Sequence, residues 1–192
     1  IGQSDNQFTP LQMATYMATL ANDGKRMRTH LVKSVEDYTL TQVVEQSEPQ
    51  VLSTVSADQS VFDTIEDGLV QAAQGGGSAT SIFGNYPIKV AAKTGTPQTG
   101  EDRTPNAVFI CYAPADDPKI AVAVVVEKGY SGHLIGNVAR AILDNYLLDK
   151  DWEEIAPLFG IYASSTEEPE QTGGSESSSQ ESSSEADRPS GE

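Results

Sequence analysis

Two apolar runs constrain this chain more than anything else in it. AVFICYAP, residues 107–114, and KIAVAVVVEK, residues 119–128, are separated only by Ala115-Asp116-Asp117-Pro118. Acidic residues and a proline at that point form a turn, so the runs predict two antiparallel strands of one hairpin. Neither run alternates apolar with polar, as a strand with one wet face does. A sheet built from them needs cover on both faces. IKVAAKTGT, residues 88–96, reads as a further strand just upstream.

The cover has to come from helices, and three are legible. In the first, Thr9 suits the N-cap, Pro10 the first helical position and Gln12 the third, which is a capping box. Leu11, Ala14, Met17, Ala18 and Ala21 follow at helical spacing, and Asn22-Asp23-Gly24 ends the run. Ser56 and Gln59 give a second capping box, ahead of Val61, Phe62, Ile65, Leu69 and Ala72; Gly75-Gly76-Gly77 stops that helix. The third follows Gly129 and Gly132, with Leu134, Ile135, Val138, Ile142, Leu143 and Tyr146 as its stripe. Between the first two helices, MRTHLVKSVEDY alternates and predicts a strand, with a short second one near QVVEQ. The order is helix, strand, helix, three strands, helix: an α+β arrangement, an antiparallel sheet flanked by helices.

Composition narrows the function classes. Residues 1–160 have an ordinary globular make-up and are expected to form one domain. Residues 161–192 are Ser-, Glu-, Gly- and Pro-rich and nearly free of apolar side chains, so a disordered acidic tail is expected there. The net charge of −16 and the absence of basic clusters argue against a nucleic-acid partner. The single cysteine, Cys111, excludes an internal disulfide framework and sits in an apolar run, where a buried structural thiol is expected. No apolar run approaches the roughly 20 residues of a membrane-crossing helix. The chain starts at Ile1 rather than Met, which leads to the expectation of a fragment or processed product with any export signal or anchor upstream.

Few residues offer chemistry. His30 and His133 are far apart, with no carboxylate or cysteine at ligand spacing, so no metal and no cofactor is expected; His133 reads as a surface or capping residue. Gly75-Gly76-Gly77 lacks the Lys-Ser/Thr of a phosphate loop. Glu127 and Lys128 read as a solvated pair, and Trp152 as a packing residue near the tail. That leaves Lys93-Thr94-Gly95-Thr96 at a strand end and Ser4-Asp5-Asn6 at the start. These resemble the K-T-G and S-D-N signatures of penicillin-binding proteins and class A β-lactamases, whose third signature is S-x-x-K with the nucleophilic serine. No serine stands three residues before any lysine of this chain, so that third signature is absent from it.

Longer stretches are more specific. IGQSDNQFTPLQMATYMATLANDGKRMRTHLVKSV resembles a segment of class B penicillin-binding proteins, in which I-G-Q leads to T-P-L-Q, a helix ending in A-N-x-G, and a strand with H-L-V. KVAAKTGTPQ resembles that family's third-motif strand. FICYAPADDPKIAVAVVVEKG and the helix with RAILDNYL resemble its closing hairpin and last helix. The match runs in order from Ile1 to about Lys150, and the HLVK wording is nearer the cell-elongation branch than the division branch. In the family the I-G-Q segment follows the S-x-N motif, so the resemblance makes Ser4-Asp5-Asn6 polar loop residues; a compact relative in which the triplet serves as the motif is the other reading.

The resemblance implies the C-terminal part of a transpeptidase domain with an incomplete penicillin-binding, serine β-lactamase-like fold. The parent would be a peptidoglycan D,D-transpeptidase, acting by a serine acyl-enzyme and acylated by β-lactams. It would sit at the extracytoplasmic face of the membrane, anchored by an upstream segment. Lys93 would take the electrostatic role beside the serine. Thr94 and Thr96 would contact the ligand carboxylate, Gly95 would let substrate approach, and the Thr96 N–H would be one oxyanion donor. Pro97 stands where many relatives carry a small residue. Implied partners are stem peptides, β-lactams, the N-terminal part of the same domain and the cell-wall elongation machinery; the chain alone is expected to be inactive. A penicillin-binding sensor or a non-catalytic scaffold of the same fold is the alternative, and a β-lactamase is disfavoured because no deacylating base is evident.

Overall fold

The computed structural model describes residues 7–100 and 103–161. The Ser4-Asp5-Asn6 triplet, and the expected acidic tail beyond Ile161, lie outside the described residues. The element order is α1 (Pro10–Ala21), β1 (Lys25–Met27), β2 (Ser34–Glu36), β3 (Val43–Gln46), β4 (Val51–Thr54), α2 (Gln59–Gln74), α3 (Thr80–Phe83), β5 (Ala91–Gly95), β6 (Ala107–Ala113), β7 (Ile120–Val126), a 3₁₀ turn (Gly132–Ile135), α4 (Gly136–Leu148), α5 (Trp152–Ile155) and a second 3₁₀ turn (Ala156–Phe159).

The hairpin forms as its sequence requires. β5, β6 and β7 make one antiparallel sheet in that order, with Thr94 opposite Phe109, Gly95 opposite Val108, and Phe109 opposite Val124. Both faces are covered. Val90, Ala92, Phe109, Cys111 and Val122 pack with Phe83, Ile135, Ala139 and Leu143 in one cluster; Ala91, Tyr112 and Ala115 pack with Met17 of α1 in the other. The two sets alternate along β6, which is why the run looks uniformly apolar in the sequence. The Tyr112 hydroxyl donates to a Glu66 carboxylate oxygen at 3.1 Å, tying β6 to α2.

The first helix starts as expected: Thr9 Oγ1 accepts from the Gln12 N–H and Gln12 Oε1 accepts from the Thr9 N–H. The second does not. Asp58, not Ser56, is the N-cap of α2, and its side chain makes no capping bond. Gln59 Nε2 instead donates to Asp23 Oδ1 at 2.9 Å, which ties the start of α2 to the turn after α1. The strand expected over MRTHLVKSVEDY is also broken. Arg28–Lys33 leave the extended ladder, and two short antiparallel ribbons form, β1 with β4 and β2 with β3, each with a register irregularity. Val35, Val43, Val44 and Leu52 of these ribbons are exposed. The short helix α3 was not expected.

In α4 the expected stripe splits. Ile135, Ala139 and Leu143 face the sheet, whereas Val138, Ile142 and Tyr146 form a second apolar row, at the same four-residue spacing, that is exposed. A Cβ at Gly136 would collide with Ile82 and crowd Phe109, so the start of the helix sits close. The inner side is locked by polar contacts: Arg140 Nη1 donates to the Ile82 carbonyl at 2.9 Å, and the buried Asp144 lies 3.3 Å from Lys150 Nζ. Trp152 is exposed and stacks on Phe159. β7 pairs with β6 only, so among the described residues its outer edge carries free backbone N–H and C=O groups.

Two outcomes follow. The chain by itself should self-associate, because among the described residues the outer edge of β7 is unpaired and the outer row of α4 is exposed; size-exclusion chromatography of the isolated chain checks this, and a clean monomer contradicts it. Cys111 should be inert in the fold. Burial raises its thiol from an ordinary value of 9.0 to about 12. The neutral thiol costs nothing below pH 9; above it the unfolded chain ionises first, so stability should fall as pH rises toward about 12. A thiol reagent at pH 8 should therefore label Cys111 only after denaturation.

Candidate functional site

β5 positions the chemistry. It hydrogen-bonds to β6 along one side only, so the Lys93–Gly95 edge faces away from the sheet among the described residues. Strand alternation turns Lys93 and Gly95 to the face that carries Ala91 and α1, and Thr94 to the face that carries Phe109 and α4. The Lys93 side chain is exposed, and its Nζ donates to the Thr94 carbonyl at 2.7 Å. Among the described residues it has no carboxylate partner. An ammonium held only by a neighbouring backbone carbonyl is available to an incoming acceptor.

The two threonines each meet a serine from another part of the chain. Thr94 Oγ1 lies 2.8 Å from Ser78 Oγ, from the loop after α2. Thr96 Oγ1 lies 3.3 Å from Ser131 Oγ and accepts from the Gly132 N–H at 3.3 Å. Ser131 Oγ is in turn 2.9 Å from His133 Nδ1. Lys93, Thr94 and Gly95 thus lie in β5 with Thr96 directly after it, and Ser78, Ser131, Gly132 and His133 reach the threonines from other parts of the chain. His133 is exposed, in keeping with a surface position, but it is hydrogen-bonded toward the strand end.

Gly132 explains how the last segment gets so close. A Cβ there would stand 2.3 Å from the Val108 carbonyl oxygen and 2.6 Å from that of Gly95, so the backbone of the 3₁₀ turn lies flat on the Gly95–Val108 pair. Only a residue without a side chain fits. The GYSGHLIG wording signalled a turn, but nothing in it said which strand the turn would touch. A groove of about 680 Å³, lined by Phe8, Leu11, Tyr16, Met27 and Leu52 among others, includes no residue of β5.

A strand edge with an exposed ammonium, two hydroxyls and a glycine suits an extended ligand ending in a carboxylate. The ligand can add main-chain bonds along the free edge while its anionic end meets Lys and Thr.

Comparison with known proteins gives a consistent result. A family model described as the penicillin binding protein transpeptidase domain matches residues 1–144. Penicillin-binding protein 2A of Bacillus subtilis is 36% identical over 165 residues, spanning 76% of this chain and 23% of that protein. Peptidoglycan D,D-transpeptidase PbpA of Mycolicibacterium smegmatis is 42% identical over 132 residues, 67% of this chain and 26% of that protein. The chain therefore spans about a quarter of the length of these relatives. Among solved structures, penicillin-binding protein A from M. tuberculosis in its imipenem acyl-enzyme complex superposes with a TM-score of 0.66 at 33% identity, covering 77% of this chain and 32% of that one. PBP2 of Pseudomonas aeruginosa, in complex with WCK 5153, gives 0.65 at 36% identity, covering 78% and 33%.

The fit of the 3₁₀ turn on β5 is directly testable. Gly132→Ala should destabilise the complete protein carrying this chain by about 1–3 kcal/mol through overpacking. Gly68→Ala in α2, where an added Cβ meets nothing within 4 Å, should instead stabilise it by about 0.5–1 kcal/mol. Denaturant melts of the two variants check the opposite signs.

Proposed function

The chain belongs to the penicillin-binding protein transpeptidase family, and from that premise we propose that it is the C-terminal part of a class B, elongation-type peptidoglycan D,D-transpeptidase. The observation that carries the proposal is the free edge of β5, with Lys93, Thr94, Gly95 and Thr96 in line. It occurs in a chain whose relatives include proteins named peptidoglycan D,D-transpeptidases. Nucleophile and second motif come from a part of the protein outside this sequence, since no S-x-x-K is present here.

The reaction is acyl transfer between peptides. A serine Oγ attacks the carbonyl of the penultimate D-alanine, its proton leaving to a neighbouring base. The tetrahedral intermediate collapses with cleavage of the C–N bond, and D-alanine departs with the proton on its nitrogen. An amine of a second stem peptide then attacks the ester, forms the new amide and returns the serine. β-Lactams enter at the first step, and ring opening leaves an acyl-enzyme.

The chain's own residues supply electrostatics and orientation. Lys93 exchanges its bond to the Thr94 carbonyl for the serine region and the ligand's anionic end. Thr94 and Thr96 hold the carboxylate, and the Thr96 N–H, at the end of the strand, is one oxyanion donor. Gly95 leaves room for the ligand backbone. The site lies on the extracytoplasmic side of the membrane, with the anchor outside this sequence; among the described residues no helix is long and apolar enough to cross a bilayer. The rest of the domain and the wall-elongation machinery are the protein partners.

Labelling with a fluorescent penicillin tests the reading. The complete protein should label, Lys93→Ala should lower the acylation rate at least about a hundredfold, and the chain alone should not label. Labelling of the chain alone would mean that it holds its own nucleophile and that Ser4 must be reconsidered. A complete protein that never labels would make it a non-catalytic scaffold.

A further inference from the structure

The hydroxyl of Thr96 is set by residues to which the proposed function assigns no part. Its oxygen accepts the Gly132 N–H at 3.3 Å and lies 3.3 Å from Ser131 Oγ, which lies 2.9 Å from His133 Nδ1. Ser131–His133 cannot drift from the strand, because Gly132 is pressed onto the backbone of Gly95 and Val108.

A threonine hydroxyl has one proton and two lone pairs. One lone pair is taken by Gly132. The chain Thr96–Ser131–His133 then has two consistent orders. In the first, Thr96 donates to Ser131, and Ser131 donates to an unprotonated Nδ1. The Thr96 proton then points away from the strand edge, and an arriving carboxylate meets only lone pairs. In the second, Nδ1–H donates to Ser131, and Ser131 donates to Thr96. Both Thr96 lone pairs are then filled by protein donors, and its own proton is free for a carboxylate oxygen. An imidazole supports either order, because Nδ1 can hold the proton or accept one. An aliphatic side chain at 133 leaves the direction of the Ser131 proton unfixed.

We propose that Ser131 and His133 are positioning residues which hold the second order when an anionic ligand is bound, and so make Thr96 a carboxylate donor rather than a bystander. This rests on the reading that β5 binds the ligand carboxylate and assigns the residues that tune it. Their influence is confined to ligands with a free carboxylate. A ligand whose carboxylate is masked as an ester has less need of the donor, so the two residues contribute to selectivity between acid and ester more than to acylation in general.

The test uses the complete protein carrying this chain, with benzylpenicillin and its methyl ester as probes and the acylation rate constant as readout. In His133→Ala and in Ser131→Ala the acid-to-ester rate ratio should fall about tenfold, the worth of one charge-assisted hydrogen bond. His133→Asn, whose amide can donate or accept near the Nδ1 position, should return the ratio to within about threefold of the unsubstituted protein. An unchanged ratio in both alanine variants overturns the proposal. So does an equal fall with acid and ester, which would mark a merely structural role. If the unsubstituted protein is acylated by neither probe, the transpeptidase reading itself fails and this inference falls with it, an outcome distinct from the other two.

Discussion

Everything at the candidate site depends on one constraint: among the described residues, β5 is paired on one side and open on the other. The pairing with β6 fixes Lys93 opposite Ile110 and Gly95 opposite Val108, and β6 is in turn locked by β7 and by cores on both faces. The open side leaves backbone donors and acceptors unpaired among the described residues. A strand in the middle of the sheet would have spent both edges on neighbours, and a loop would not hold an ammonium and two hydroxyls in register. The apolar hairpin is therefore more than ballast, since its burial makes the edge rigid enough to preorganise charge.

The parts legible in the sequence were those decided locally. Thr9, Pro10 and Gln12 spelled the start of α1, and the two apolar runs spelled β6 and β7 with the need for cover on both faces. The K-T-G-T stretch fell at a strand end as read. Local signals failed where a distant contact decides. Gln59 looked like half of a capping box, but Asp23 at the end of α1 takes its side chain. The alternation in MRTHLVKSVEDY was real, but only its start, in β1, lies against α1, and the ladder breaks after Met27. In α4 the stripe read as one face divides: Leu143 is buried with Ala139, and Val138, Ile142 and Tyr146 are exposed.

At the site, Lys93 to Thr96 could be named from the sequence because they are contiguous. Ser78, Ser131, Gly132 and His133 could not, because each reaches the strand through tertiary packing. Gly132 is the plainest case: a glycine before a helix reads as a turn signal, and only the fold shows it resting on Gly95. The S-D-N triplet lies outside the described residues, and its reading as polar loop residues rests on the resemblance. The resemblance of long ordered stretches carried more than any three-letter motif, and the match of the family model over residues 1–144 is its counterpart.

The most direct test of the central claim, that β5 is the carboxylate-binding edge of an acyl-transfer site, is a crystal structure of the complete protein acylated by a penicillin. The account predicts the ligand lying along the free edge of β5, its carboxylate bonded to Thr96 Oγ1 and Thr94 Oγ1, and Lys93 Nζ released from the Thr94 carbonyl. An acyl group whose carboxylate sits away from residues 93–96, with Lys93 still bonded to its neighbour, would contradict it.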